Sequence, residues 1–300
     1  MHSLTRAALA VALSLAAACT SSGPRPEAVL ASGQAGPSSL ASDGTYLYWT
    51  NRTGGEVMRL PLAGGPPEQR ASGQSQPQGI ALDSASVYWA NSGDLSVMKA
   101  PLAGGEPTPV AAHQSDPGDV AVAGGYVFWS NKSGTMMKAA VSSGAASAVS
   151  DQPSGPGDVA TNATHVFWTN ADGTIRRAPL GGGPEELLAH GDQNATSLTL
   201  DETHVYWTTF FGSINRVPLA GGTMEKLAEG ESHPRAIAVD NSFIYWAAGS
   251  KDGTIRRMAR SGGKPETFAA EQAEPTGIIM DSASLYWVNE AGGTVVRAPR

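Results

Sequence analysis

Cysteine is almost missing from this chain: there is one, Cys19, so no internal disulfide can staple it. Charge is sparse as well, at 16% of residues with a net of −7. That balance excludes the basic stripe of a nucleic-acid binder and serves mainly solubility. No apolar run reaches the ~20 residues that a membrane-spanning helix needs, and no segment carries the spacing of an amphipathic helix. Gly-x-Ser-x-Gly, His-Glu-x-x-His and a phosphate-cradling glycine loop are absent too. These gaps exclude a helical bundle, a helical membrane protein and the hydrolases that announce themselves by a local motif. A catalytic set gathered from distant parts of the chain would leave no such mark.

What the chain does have is repetition. All seven tryptophans (Trp49, Trp89, Trp129, Trp168, Trp207, Trp246 and Trp287) recur 39–41 residues apart, each preceded by Tyr or Phe and before that by Leu, Val or Ile. A fixed period near 40 is the mark of an array of equal supersecondary units. The second unit shows the chemistry. Gly79-Ile80-Ala81-Leu82, Val87-Tyr88-Trp89, Ser96-Val97-Met98-Lys99 and Pro109-Val110-Ala111 are four strand-forming runs, separated by Asp83-Ser84, Asn91-Ser92-Gly93 and Ala103-Gly104-Gly105. Side chains alternate along a strand, so Val87 and Trp89 face one way and Tyr88 the other. Both faces are apolar and both must be covered. Four-stranded sheets stacked around an axis meet that demand, which predicts an all-β, seven-bladed β-propeller of antiparallel blades over residues 27–300.

The two ends are out of phase with the repeat. Glu27–Ser32 resembles an outer strand such as Pro184–Ala189, whereas Thr294–Arg300 is a third strand with no fourth behind it. The N-terminal strand is therefore expected to complete the last blade and close the ring, with Val29 and Leu30 on opposite faces packing against the flanking blades. Ahead of it, Met1–Arg6 is a short positive segment and Ala7–Ala18 a low-polarity run. Residues 1–18 read as a secretory signal. Ala16-Ala17-Ala18-Cys19 resembles a bacterial lipobox, with Ala16 where Leu is usual. That resemblance implies lipid attachment at Cys19, a flexible tether over 19–26, and an exported protein held in the cell envelope, periplasmic or at the outer membrane, by its lipid anchor alone.

Tyr48-Trp49-Thr50-Asn51 and Tyr206-Trp207-Thr208 resemble the motif of the YWTD propellers of low-density lipoprotein receptors. The likeness extends to Pro234–Asp240 before the motif and Gly173–Leu180 after it. The departures are Asn51, Asn91, Asn131, Asn170 and Asn289 in place of the family's aspartate, Thr209 and Ala248 elsewhere, and seven units where those receptors have six. The chain is more similar to exported bacterial propellers with Leu-Ala-Gly-Gly repeats, a resemblance that implies no particular activity.

In a ring of equal units, function belongs where units differ. The cations Arg59, Lys99, Lys138, Arg177, Arg216, Arg257 and Arg297 recur and read as architecture. So do Gln34, Gln74, Gln114, Gln152, Gln193, Glu231 and Gln272, which are expected to satisfy loop backbone groups. Asp119 and Asp158 do not recur: the other blades have Ser39, Gly79, Ser197, Ala236 and Gly277 there. Two carboxylates at a channel mouth suit a hard cation, Ca2+ or Mg2+. His113 and His233 belong to loops of the same face, and Arg235, alone among its blade equivalents in carrying charge, is placed to meet an anion. Phe210-Phe211 replaces a polar loop such as Asn131-Lys132-Ser133 and marks a contact surface. The resulting expectation is a monomeric scaffold that binds a protein, peptide or glycan. The alternatives are a cation-dependent lyase or lactone hydrolase using Asp119 and Asp158, and a structural envelope protein.

Overall fold

The computed structural model describes residues 27–150, 154–249 and 251–300. The leader, Cys19, the tether and Gln152 lie outside the described residues. Seven four-stranded antiparallel sheets follow one another around a ring, with no helix among the described residues. Blades 1 to 7 begin at Pro37, Pro77, Pro117, Pro156, Ala195, Ala236 and Pro275. In blades 1 to 6 an inner strand leads to the tryptophan strand, then to a third and an outer strand.

The aromatic alternation dictates the packing. Every tryptophan is fully buried on one face of its blade, and the Tyr or Phe before it is buried on the other. Each apolar cluster therefore lies between two blades rather than within one: Tyr48 and Val57 of blade 1 pack with Ile80, Val87 and Trp89 of blade 2. Tyr286, Val288 and Val295 of blade 7 pack with Leu40, Leu47 and Trp49 of blade 1. The turn below the tyrosine is fastened by an aspartate. Asp83 Oδ1 accepts the backbone N–H groups of Ala85 and Ser86 (both 2.7 Å), and Oδ2 accepts the Tyr88 hydroxyl (2.7 Å). Where Phe128 and Phe167 replace tyrosine, Ala123 and Asn162 take the place of the aspartate.

The recurrent glutamine does more than satisfy its loop. Gln74 Nε2 donates to Ser72 O (2.8 Å), and Oε1 accepts both Trp89 Nε1 (3.0 Å) and Asn91 Nδ2 (3.1 Å). The same clasp is built by Gln34, Gln114 and Gln272. Gln193 is not part of it. The position fifteen residues before Trp207 is Asp192, whose carboxylate turns outward to Lys226 Nζ at 2.9 Å. The recurrent cations are architectural: Arg59, Lys99, Lys138, Arg177 and Arg216 each donate to a backbone carbonyl of the next blade, at Leu102, Val141, Leu180, Leu219 and Arg260.

The ring closes through its N-terminal strand. Ala28–Ala31 pairs antiparallel with Thr294–Pro299, in the register Ala28↔Arg297, Val29↔Val296 and Ala31↔Val295. One expectation is corrected. Ala31 is buried and Leu30 packs at the edge of the closing cluster, but Val29 is 60% exposed. The bulge between Val29 and Ala31 breaks strict alternation, and this outermost position lies beyond the reach of the neighbouring blade, as at the 57% exposed Leu187 of blade 4.

A chain beginning at Pro37 is expected to melt well below one beginning at Pro24 and to self-associate. It loses the burial of Leu30 and Ala31, roughly 1.5–3 kcal/mol, and bares a sheet edge. Equal melting temperatures with both chains monomeric would rule out this closure. For the clasp, Gln74→Ala leaves the Trp89 indole N–H without an acceptor and strips one from Asn91. About 2–4 kcal/mol of stability should be lost, at roughly 1–3 kcal/mol per buried group left unpaired, measured by urea unfolding. A loss below about 0.5 kcal/mol would contradict it.

Candidate functional site

One face of the ring, here the top, carries the loops between second and third strands and those from each outer strand to the next inner strand. The inner strands reach it through a repeated bulge. In blade 1, Pro37 pairs with Asn51 but Leu40 with Trp49, leaving Ser38 and Ser39 opposite a single residue. The same offset occurs in blades 2 to 5. A hydroxyl next to the tryptophan holds the bulge. Asp119 N donates to Ser130 Oγ (3.1 Å) and Asp158 N to Thr169 Oγ1 (2.9 Å). A cavity of about 290 Å³ follows, walled by one aliphatic side chain per blade: Leu40, Ile80, Val120, Val159, Leu198, Ile237 and Ile278.

Asp119 and Asp158 meet at this mouth, as their phase in the repeat predicts, but they are not arranged for a cation. Asp119 Oδ2 accepts Val159 N of blade 4 (2.9 Å). Asp158 Oδ2 accepts Leu198 N and Ser197 Oγ of blade 5, both at 2.7 Å. Gly79 makes room on the other side, since a Cβ there would lie 2.2 Å from Asp119 Oδ1. Enclosure by the channel wall first, and then the neighbouring Asp158, hold the Asp119 carboxyl well above the usual carboxylate range. A Ca2+ or Mg2+ ion asks for six or more oxygen ligands without competing donors. Here N–H and O–H groups of the next blade already occupy one oxygen of each carboxyl, and among the described residues no three His, Cys, Asp or Glu gather. The residues do not fit a metal. The pair is instead a lock joining blades 3, 4 and 5.

Arg235 is likewise corrected. Rather than awaiting an anion, it pairs with Glu274 (2.9 Å) and Glu290 (3.8 Å) of blade 7. His113 stands exposed on a left-handed backbone (φ 56°) and is not brought to the carboxyl pair. His233 (φ 45°) lays its ring against Phe210, with centroids 4.7 Å apart. Phe210 and Phe211 meet edge to face at 5.7 Å. Neither packs inward: they are 46% and 69% exposed. Their turn is held by Phe210 N to Asn194 O (2.9 Å) and Gly212 N to Thr209 O (3.0 Å). Gly212 (φ 98°) is required, because a Cβ would strike Glu231 O at 2.2 Å.

The two phenylalanines wall a pocket of about 580 Å³ over blade 4, floored by Gly155, Pro156, Gly157, Ala171 and Ala195 and bordered by Lys132, Asn194 and Thr196. Reading the sequence for deviations found the wall but missed the floor. Its signal is a deficit: blade 4 has Gly157 and Ala171 where blade 1 has Ser38 and Arg52 and blade 2 has Gln78 and Ser92.

No family model matches the chain, and no curated protein matches it. Solved structures do. A streptogramin B lyase aligns over 91% of this chain and 96% of its own at 16% identity, TM-score 0.76. A catalytically inactive virginiamycin B lyase from Staphylococcus aureus, solved with quinupristin, aligns over 92% and 98% at 14% identity, TM-score 0.78. The nidogen/laminin complex contains a propeller aligning over 75% of this chain and 92% of that one at 20% identity, TM-score 0.60. Identities this low establish the propeller fold and nothing of chemistry.

The carboxyl lock generates a pH prediction. A group whose folded pKa is raised contributes stability that is fully present below its unfolded pKa and lost as pH rises through the folded value. The wild-type protein should therefore lose stability from acid toward neutral pH by a component that Asp119→Asn lacks. The variant should melt higher than wild type at neutral pH, the gap closing toward pH 4. Parallel melting curves across that range would refute the lock.

Proposed function

We propose that this propeller is a rigid binding scaffold whose top face takes a protein, peptide or glycan partner at the Phe210-Phe211 pocket. The carrying observation is that pocket: two adjacent, exposed aromatic side chains beside an apolar floor. Solvent-facing aromatics that no fold requirement explains are the usual anchors of recognition. Lipid attachment at Cys19 would hold this scaffold at an envelope membrane; two chains already suffice for firm anchoring.

A lyase or lactone hydrolase is supported by fold likeness to the streptogramin lyases. It draws nothing from Asp119 and Asp158, whose oxygens accept backbone and hydroxyl protons of the next blade. The binding scaffold is the better-supported reading.

Phe210→Ala combined with Phe211→Ala should leave the melting temperature within about 2 °C of wild type, because the rings cover little core. It should abolish capture of envelope partners that the wild-type chain retains. Capture unchanged in the double variant would overturn the reading. Cys19→Ser should release the protein from membranes or leave it unprocessed, and a processed variant that still partitions with membranes would refute the anchor.

A further inference from the structure

Resting on that reading of the Phe210-Phe211 pocket, we infer that its partner is an extended peptide segment presenting a bulky apolar side chain, with an acidic residue beside it that meets Lys132. Three observations converge.

The first is the poverty of polar groups. A sugar ring brings a hydroxyl at nearly every carbon, and each needs a partner when buried. The pocket offers few. Thr196 Oγ1 already donates to Pro234 O (2.9 Å) and contacts Thr208 Oγ1 (2.7 Å). That leaves the exposed Asn194 amide and Lys132. An apolar side chain against the edge-to-face Phe210-Phe211 pair asks for no more.

The second is Asn194. Its backbone is tied by Asn194 N to Ala171 O (2.9 Å) and by Phe210 N to its own carbonyl, so its position (φ 58°) is fixed. The side chain has no hydrogen-bond partner within the described residues. A carboxamide carries both a donor and an acceptor, the pair that one peptide group of an extended chain presents.

The third is charge. Lys132 is exposed, and its ammonium donates only to the neutral Gln78 Oε1 (2.9 Å), with no carboxylate in ion-pair range among the described residues. Gly118 lets its stem lie flat, since a Cβ there would come within 2.8 Å of Lys132 Cε. In an extended peptide, residues two apart project from the same side about 6.6–7 Å from each other. A carboxylate two residues from the apolar anchor therefore projects toward the same face as the anchor itself, where it can displace Gln78 as the partner of Lys132.

The test is fluorescence anisotropy on the purified chain at low salt with three labelled, C-terminally amidated Gly/Ser peptides. Their centres are Phe-Ser-Glu, Phe-Ser-Lys and Ala-Ser-Glu. The Phe-Ser-Glu peptide should bind saturably and the other two about tenfold or more weaker, in line with a charge-assisted hydrogen bond and a buried aromatic. Lys132→Gln should weaken Phe-Ser-Glu roughly tenfold and leave Phe-Ser-Lys unchanged. Phe211→Ala should remove binding of both. Equal binding of the Glu and Lys peptides, indifference to Lys132→Gln, or no binding of any peptide overturns the proposal. So does Phe211-dependent binding of a neutral oligosaccharide in place of the peptides. Loss of partner capture in the Phe210/Phe211 double variant without peptide discrimination retains the binding face and discards this assignment of its partner.

Discussion

An indole N–H buried in a dry core must find an acceptor, and this ring rests on how that demand is met. In blades 1, 2, 3 and 7 a single carboxamide reaches down from the loop above the tryptophan, accepts from the indole and from the following asparagine, and donates back to its own loop. Only glutamine has the length, the acceptor and the donor together. In those blades the tryptophan strand, the top loop and the turn into the third strand are thereby tied at one point. Where the residue changes, its surroundings change with it. Glu231 accepts from Trp246 (3.0 Å), Ala248 removes the asparagine that would have shared it, and Arg256 at 3.2 Å balances the new charge.

Blade 5 keeps none of this. Asp192 faces solvent, Thr209 replaces the asparagine, and the buried Trp207 Nε1 and Asn215 Oδ1 find no hydrogen-bond partner among the described residues. This is the blade that carries Phe210-Phe211. The blade freed from the clasp is also the one whose top loop exposes two adjacent aromatic side chains. The cross-blade arginines still hold blade 5 on both sides, through Arg177 to Leu219 and Arg216 to Arg260. The departure therefore stays local.

The architecture was legible because period, alternation and the phase of the two ends are properties of the chain alone. Seven Tyr/Phe-Trp pairs with apolar neighbours on both sides have few ways to be buried, and the orphan strands at 27–32 and 294–300 name each other. The site was less legible, since it depends on what side chains find when blades meet. Phase placed Asp119 and Asp158 at the mouth correctly. It could not show that the next blade's N–H groups wait for them there, because those donors belong to backbone and leave no residue signature. Arg235 looked free for the same reason, as its partners Glu274 and Glu290 are some 40 and 55 positions away. The floor under Phe210-Phe211 escaped notice because glycine and alanine act there by what they omit.

The pairing of Val29 with Val296 joins the first strand of the described residues to the last. Every other strand finds its neighbour within some 30 residues of chain, so blades can form in order as the polypeptide lengthens. Ala28–Ala31 must wait, unpaired, until the third strand of blade 7 has been made. Non-local pairing of this kind is slow to form. Once made, the same pairing ties the two ends of the chain into a single sheet. Six blades can therefore assemble before the ring exists, and its completion is one late event that converts a curved stack with two open sides into a body with none.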